Sequence, residues 1–386
     1  MLALRLARRG QPVVQLRRLL VAAASAGTGF LLLCTLGYAL GHPDASAASL
    51  LRLAWCVVPL AATVYLAVAV ARTDPGTRPR PGLSAVGLGP ARLTLLAAVS
   101  TAVACTLGSM LALLFFLHLR GDLSGLPFDG AARGLLAADR PLPLAAALTL
   151  LTLVPLAASA ASAVVLRPRA AKPGERQDPA DPAAPVPAPN GLPWGVALLA
   201  VGLSVETYAS RAHAAAGVPM PGGLGGSPSG VLAGWTVTAV GLALAGPGLT
   251  YLCGKALQSV RPGAARLLAG RVLQEEARRI GRPLGVVCAV AAGAYAGITL
   301  YSGRHPLGPL STLGGILVVA CTVATLVTAA IEAKHARSDT KAALLRLGAP
   351  AGLLRGAAAL RALALLAVFG PLTWAVAELA ALPLAP

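Results

Sequence analysis

The chain has 386 residues, of which 56% are hydrophobic and only 12% are charged, and its mean hydropathy is +0.74. Soluble domains carry about 25% charged residues, so this composition excludes an ordinary soluble protein and places most of the chain in lipid. The net charge of +18 would favour nucleic-acid binding in a soluble protein. Membrane topology explains that charge, and we expect no nucleic-acid partner.

Nine apolar runs approach the length of about 20 residues that an α-helix needs to cross a bilayer. They are roughly 19–40, 53–71, 93–118, 143–166, 192–209, 231–253, 283–301, 310–331 and 360–383. The first run follows an arginine-rich segment, but its apolar core is too long for a signal peptide, so we interpret it as an uncleaved anchor. The predicted fold class is an all-α, polytopic transmembrane helical bundle of about nine spans.

Lysine and arginine fall mainly on one side of these spans. With a cytoplasmic N-terminus, the cytoplasmic segments are 1–18, 72–92, 167–191, 254–282 and 332–359. Together with Arg361 at a span edge, they hold 26 of the 32 lysines and arginines. This asymmetry follows the positive-inside rule. It predicts a multi-pass protein with the N-terminus in the cytoplasm and the C-terminus outside. The abundance of Ala, Gly, Leu and Arg is typical of a GC-rich bacterial genome, so we expect a bacterial inner membrane.

A proline-rich polar segment, residues 167–191, predicts a disordered cytoplasmic linker. It divides the chain into a first block of four spans (1–166), two central spans (192–253) and a last block of three spans (254–386). The longest outer segments, 119–142 and 210–230, are rich in glycine and proline. They are too short for a folded domain.

The connector between the last two spans contains KAALLRLGAPAGLLR, residues 341–355. Ser338 or Asp339 is expected to cap a helix of about two turns. Gly348 suits the left-handed position after the helix, and Pro350 prevents its continuation. The pattern predicts a short amphipathic helix parallel to the membrane surface. The alternative is an ordinary helix stop whose arginines only anchor the topology.

A weaker copy of this connector joins the second and third spans. Leu88-Gly89-Pro90 echoes Leu347-Gly348-Ala349-Pro350, and Arg92 echoes Arg355. Prolines and glycines between residues 75 and 82 weaken helix formation in this copy. Two related connectors at the same topological place predict an internal repeat.

Amphipathic segments also precede the first and seventh spans, at residues 2–18 and 264–282. The second has Arg271, Glu275 and Arg279 on its polar side. Its apolar stripe consists of Ala265, Ala269, Val272, Leu273, Ala277 and Ile280. The pattern predicts an interfacial helix lying on the inner leaflet.

This arrangement resembles the FtsX-like permease family of ABC transporters, which includes MacB-type exporters, lipoprotein-releasing permeases and bacitracin-resistance permeases. The resemblance is carried by residues 332–361 and above all by Leu345-Arg346-Leu347-Gly348-Ala349. It implies two FtsX-like repeats and a separate ABC ATPase subunit that docks beneath the connectors. Short rigid helices would pass the movement of that ATPase to the spans.

The resemblance also implies which residues contact the ATPase. One contact would be formed by Arg346, Leu347, Gly348, Ala349 and Pro350, and the other by Leu88, Gly89, Pro90 and Arg92. The chain departs from the family in its short outer segments 42–51 and 302–309, where envelope-acting members carry a large domain. A fourth span of the last block is also missing, truncated or supplied by a partner.

The expected function is that of a permease subunit that couples ATP hydrolysis by its partner to export or removal of an amphiphile, such as a peptide antibiotic or a lipid. The chain itself lacks a phosphate-binding loop, so we expect no enzyme activity and no cofactor. The first alternative is a non-transporting signal relay to a sensor kinase or a cell-wall hydrolase. An oligomer of this chain and a pseudo-dimer of its two blocks both remain open.

A second alternative, an ion-coupled carrier, requires ionisable residues within the membrane. Glu206 and Glu378 lie near the outer ends of spans, where we expect water to reach them. No acidic residue falls at mid-membrane, which disfavours such a carrier. The six cysteines lie in or beside apolar runs without a CxxC pair. They therefore predict helix packing rather than a disulfide framework or a zinc site.

Overall fold

The computed structural model describes residues 12–74, 89–123, 129–167, 187–211, 218–220, 224–227, 229–259, 263–301 and 308–381. The helices are α1 (Pro12–Gly41), α2 (Ser46–Trp55), α3 (Val57–Thr73), α4 (Pro90–Arg120), α5 (Leu144–Leu166), α6 (Leu192–Arg211), α7 (Ser229–Gln258), α8 (Ala264–Tyr301), α9 (Pro309–Ala336), α10 (Ser338–Arg346) and α11 (Ala351–Ala381). Two short strands, β1 (Val218–Met220) and β2 (Leu224–Ser227), pair antiparallel between α6 and α7.

Nine stretches of the described chain are long and apolar enough to cross a membrane. Each overlaps one predicted run, with α2 and α3 forming one stretch and α9 and α10 another. The prediction of an all-α, multi-pass bundle is therefore confirmed, with the β1–β2 pair as a small addition between α6 and α7. The proposed repeat boundaries and membrane orientation stay predictions, and most of the proline-rich linker lies outside the described residues.

The chain divides into two compact units. Unit 1 contains Met1–Ala171 and Gly308–Thr328, and unit 2 contains Lys172–Leu307 and Ala329–Pro386. In unit 1, α1 packs on α4, α5 and α3 around a core that includes Leu66, Cys105 and Val154. Buried hydroxyls join these helices, because Thr28 Oγ1 lies 2.8 Å from Thr63 Oγ1 and Ser25 Oγ donates to the Cys105 carbonyl at 2.7 Å.

Unit 2 is built on close backbone contact between helices. α7 packs against both α6 and α8, and α11 packs mainly against α8. A methyl group added at Gly202 of α6 would lie 2.7 Å from the Thr238 amide nitrogen of α7. Glycines that allow backbones to approach are a frequent means of packing membrane helices, so the many glycines of α6, α7 and α8 have a structural role here.

The predicted interfacial helix over 264–282 is wrong in one respect. Those residues form the first half of α8, which continues without a break through Pro283 into the predicted seventh span. Ala269, Leu273 and Ala277 of the apolar stripe are buried, and Gly270 approaches Gly254 of α7. The stripe packs on α7 of unit 2 instead of on a lipid surface. This is possible because α7 continues past its apolar run to Gln258 and so reaches the first half of α8.

Candidate functional site

The short connector helix predicted from the sequence is present as α10. Its end has the hydrogen bonds of a Schellman motif, in which Ala349 N donates to Leu344 O at 3.0 Å and Gly348 N donates to Leu345 O at 3.1 Å. Gly348 has φ +86°, the left-handed conformation expected for it. The turn between α10 and α11 is therefore closed by backbone hydrogen bonds.

The start of α10 differs from the expectation that Ser338 or Asp339 caps it. Arg337 occupies the capping position, and no side chain caps the helix. Ser338 Oγ donates to the His335 carbonyl at 2.7 Å, because α10 begins only two residues after α9 ends. Asp339 lies in the first turn, where a negative charge stabilises the helix dipole.

The surface of α10 is open along its whole length. None of its residues is buried, and Leu347 directly after it is 83% exposed. Lys341, Arg346 and Pro350 are also exposed, while Ala349 is partly covered. Of the ATPase contact predicted over 346–350, every residue except Ala349 is thus exposed at the closed turn.

A buried carboxylate joins the base of α10 to two long helices of unit 2. Glu276 of α8 lies 2.8 Å from Arg337 Nε and 3.8 Å from Arg361 Nη1 of α11. Its side chain is only 9% exposed. Arg337 Nε also donates to the Ala333 carbonyl at 3.1 Å. We call Glu276, Arg337 and Arg361 the Glu276 cluster; it connects α8, the α9–α10 junction and α11.

Sequence reasoning missed Glu276, although a signal for it exists. Glu276 lies three residues after Leu273 and beside Ala277, so it falls on the apolar stripe of α8. A charge on the buried face of a helix needs a partner of opposite charge or hydrogen bonds. That position could therefore have marked a buried ion pair, but its two arginine partners could not be named from the spacing.

The ATPase contact predicted over 88–92 is described only in part. Leu88 lies outside the described residues, Gly89 is the residue before α4, and Pro90 is the first residue of that helix. Gly89 has φ −65°, unlike Gly348, and Arg92 is exposed. The described part of this copy is thus the start of α4, a helix of 31 residues. The helix that follows Pro350 in the other copy, α11, has the same length.

The expectation that water reaches Glu206 is wrong. Glu206 is 0% exposed and accepts a hydrogen bond from Thr238 Oγ1 at 3.0 Å. Gly234 of α7 lies against its side chain, so the close packing of α6 and α7 covers the carboxyl group. Glu378 is instead partly exposed, and its Oε1 accepts a hydrogen bond from Tyr295 of α8 at 2.7 Å.

All six cysteines are buried and unpaired. Within the described ranges, no group of three or more His, Cys, Asp or Glu could hold a metal ion. No family profile, curated protein or solved structure matches this chain. The candidate site therefore depends on the geometry of α10 and the Glu276 cluster.

Proposed function

We propose that this chain is the permease subunit of an ABC transporter of the FtsX-like kind, with α10 as a docking helix for a separate ATPase. The observation that carries the proposal is an exposed helix whose two ends are both fixed. Its start adjoins Arg337 of the Glu276 cluster, and its end is closed by the turn at Gly348. A rigid element of this kind is what coupling between a partner and membrane helices requires.

Force applied to α10 would reach two helices of unit 2. Arg337 contacts Glu276 on α8, and Glu276 also lies near Arg361 on α11. Movement of the docking helix would therefore displace α8 and α11 together, rather than being absorbed by a flexible loop. This arrangement supports conversion of ATPase closure into helix movement during export or removal of an amphiphilic substrate.

The surface of α10 also defines the chemistry of its partner. Lys341 and Arg346 are exposed on it, and Leu347, directly after Arg346, is exposed as well. An ATPase that binds here needs an apolar pocket for the leucine with carboxylates at its rim. Burial of one leucine side chain contributes about 2 kcal/mol, so Leu347→Ala is expected to weaken the complex by about thirtyfold.

The direct test is affinity purification of the full chain from bacterial membranes in mild detergent. We expect an ABC ATPase to co-purify with the wild type and to be lost with Arg346→Glu. Lys255→Glu is a matched control, because Lys255 is an exposed cation at the end of α7 outside both predicted contacts. Its ATPase content should equal that of the wild type.

Absence of an ATPase from the wild-type sample, or full retention with Arg346→Glu, would contradict the proposal. In that case the connector is only a helix stop. Co-purification of a sensor kinase or a cell-wall hydrolase together with the ATPase would favour the signal relay instead. Elution volume and melting temperature of Arg346→Glu should match the wild type, since the side chain is exposed.

A further inference from the structure

Helices α8 and α11 run side by side in the same direction through unit 2. Near their starts Glu276 lies 3.8 Å from Arg361, and near their ends Tyr295 donates to Glu378 at 2.7 Å. At a rise of about 1.5 Å per residue, Arg361 and Glu378 are about 25 Å apart along α11. The hydrocarbon layer is about 30 Å thick, so the second contact lies near its opposite boundary.

The end of the α8–α11 pair carries a carboxyl group that is bonded to a tyrosine and lies one helical turn after a tryptophan. Tyr295 is 39% exposed and Trp374 is 63% exposed. Trp374 lies four residues before Glu378, which places both on one side of α11. Ile298, next to Tyr295 on α8, is also exposed. We call Tyr295, Trp374 and Glu378 the outer patch.

The carboxyl group of the outer patch has capacity for another ligand. The Tyr295 hydroxyl supplies one hydrogen bond, whereas a carboxylate has about four acceptor positions. No lysine or arginine of the described chain forms an ion pair with Glu378. An aromatic belt at the membrane boundary accounts for tyrosine and tryptophan, but it does not account for a carboxyl group on a lipid-facing surface.

We infer that the outer patch binds the cationic head of an amphiphile from the outer leaflet. An ammonium or guanidinium group would pair with Glu378 and lie against the faces of Tyr295 and Trp374, which attract cations through their π-electrons. The apolar tail would follow Ile298 and the neighbouring lipid-facing side chains. The inference rests on the proposed transport function, for which it names the substrate class as cationic amphiphiles.

Glu206 does not offer a comparable site. It is fully buried, and the contact between Gly202 and Thr238 holds α6 and α7 too close for an organic cation to enter. The outer patch is accessible without separation of any two helices. Charge and access together select Glu378 over Glu206.

The probe is ω-bromoundecyl trimethylammonium, whose bromine quenches tryptophan on contact. It is titrated into full-length protein carrying Trp194→Phe, in micelles of the non-ionic detergent dodecyl maltoside, which brings no competing ammonium head. Trp194 is also exposed and would add background, so its removal leaves Trp374 as the exposed reporter. Trp374→Phe identifies the signal, and ω-bromoundecanoate tests the sign of the charge.

We expect saturable quenching of Trp374 by the cation and only a linear background with the anion. Glu378→Gln retains an acceptor for Tyr295 and removes the charge, so the affinity should fall by at least about tenfold. Tyr295→Phe keeps the charge and should weaken binding less. Glu275→Gln, an exposed carboxylate near the other end of α8, should leave binding unchanged.

Equal quenching by the two probes, or unchanged affinity in Glu378→Gln, would overturn the inference. Loss of a dimer in Glu378→Gln without cation binding would mean that a second copy covers the patch. If Glu378→Gln does not fold, Tyr295→Phe becomes the deciding variant. Unchanged affinity of Tyr295→Phe for the cationic probe would then overturn the inference. Cation binding without a co-purifying ATPase would contradict the transporter proposal but support the cation site. Co-purification of an ATPase without cation binding would contradict only the cation site.

Discussion

In each unit, an ion pair joins two helices at the proposed cytoplasmic end, and the two pairs place the acid and the base in opposite order along the chain. In unit 1, Arg18 of α1 lies 2.7 Å from Asp74, the residue directly after α3. In unit 2, Glu276 of α8 lies 2.8 Å from Arg337, the residue directly after α9. Each pair joins the first helix of a proposed repeat to the end of the second, but the acid and the base have exchanged places.

The pairs also differ in burial and in the number of partners. The two acids are similarly covered, with 12% of the Asp74 side chain and 9% of the Glu276 side chain exposed, but Arg18 is 42% exposed against 28% for Arg337. Glu276 also serves a second arginine, Arg361, on α11. Exposed ion pairs contribute little to stability, but a buried charge without a partner costs much more. The comparison teaches that unit 2 is the unit with a rigid connection from its connector to its long helices.

The largest effect is expected when the shared acid is removed. Glu276→Gln leaves Arg337 and Arg361 without their counter-charge, and the free energy of unfolding should fall by about 3 kcal/mol. Unfolding in mixed micelles titrated with sodium dodecyl sulfate measures this. Glu275→Gln is the control, because its partner Arg271 is exposed, and it should change stability by less than about 0.5 kcal/mol. Equal effects would show that Glu276 is not a structural centre.

The second prediction concerns the two glycines of the connectors. Gly348→Ala forces a side chain into the left-handed conformation at φ +86° and should cost about 1 kcal/mol. Gly89→Ala should cost no more than about 0.5 kcal/mol, since Gly89 has φ −65°. Gly352→Ala, with open space around it, should be neutral or stabilising. The same unfolding assay ranks the three, and equal losses at 348 and 89 would refute the difference between the turns.

A smaller effect is expected from the buried hydroxyl contacts between the helices of unit 1. Thr28→Val removes the bond between Thr28 and Thr63 and should lower stability by about 0.6 kcal/mol, the average for hydrogen bonds between membrane helices. Thr106→Val is the control, because Thr106 bonds only to its own helix carbonyl at Ala102 and is exposed. If Thr28→Val leaves the free energy of unfolding unchanged, the contact between Thr28 and Thr63 does not stabilise unit 1.

The smallest effect is expected for the ion pair of unit 1. Asp74→Asn keeps an oxygen acceptor for Arg18, whose side chain is 42% exposed, so the free energy of unfolding should fall by only about 0.5 kcal/mol. The loss should shrink further in high salt because water and ions reach Arg18. Stability measured at low and high ionic strength checks both statements. A loss as large as that of Glu276→Gln would mean that the two proposed cytoplasmic ends are equally rigid.

Sequence patterns predicted the local features of the fold. Apolar runs located the nine candidate spans, because a helix surrounded by lipid needs apolar residues on every side. Gly348 and Pro350 located the end of α10, because left-handed backbone and proline terminate helices through local geometry. The expected side-chain cap failed at Ser338, where the preceding helix continues almost into α10 and its carbonyl at His335 takes the hydroxyl.

The sequence by itself determined the helical class, the number of candidate spans and the connector with its glycine stop, since these depend on residues close together in the chain. Only the tertiary structure decided which distant charges meet. Glu276 pairs with Arg337 and Arg361, and Glu206 is sealed by glycine packing while Glu378 stays partly exposed. Spacing along one helix states which face a residue occupies, but the helix packed against that face decides whether its charge is paired, buried or open to a ligand.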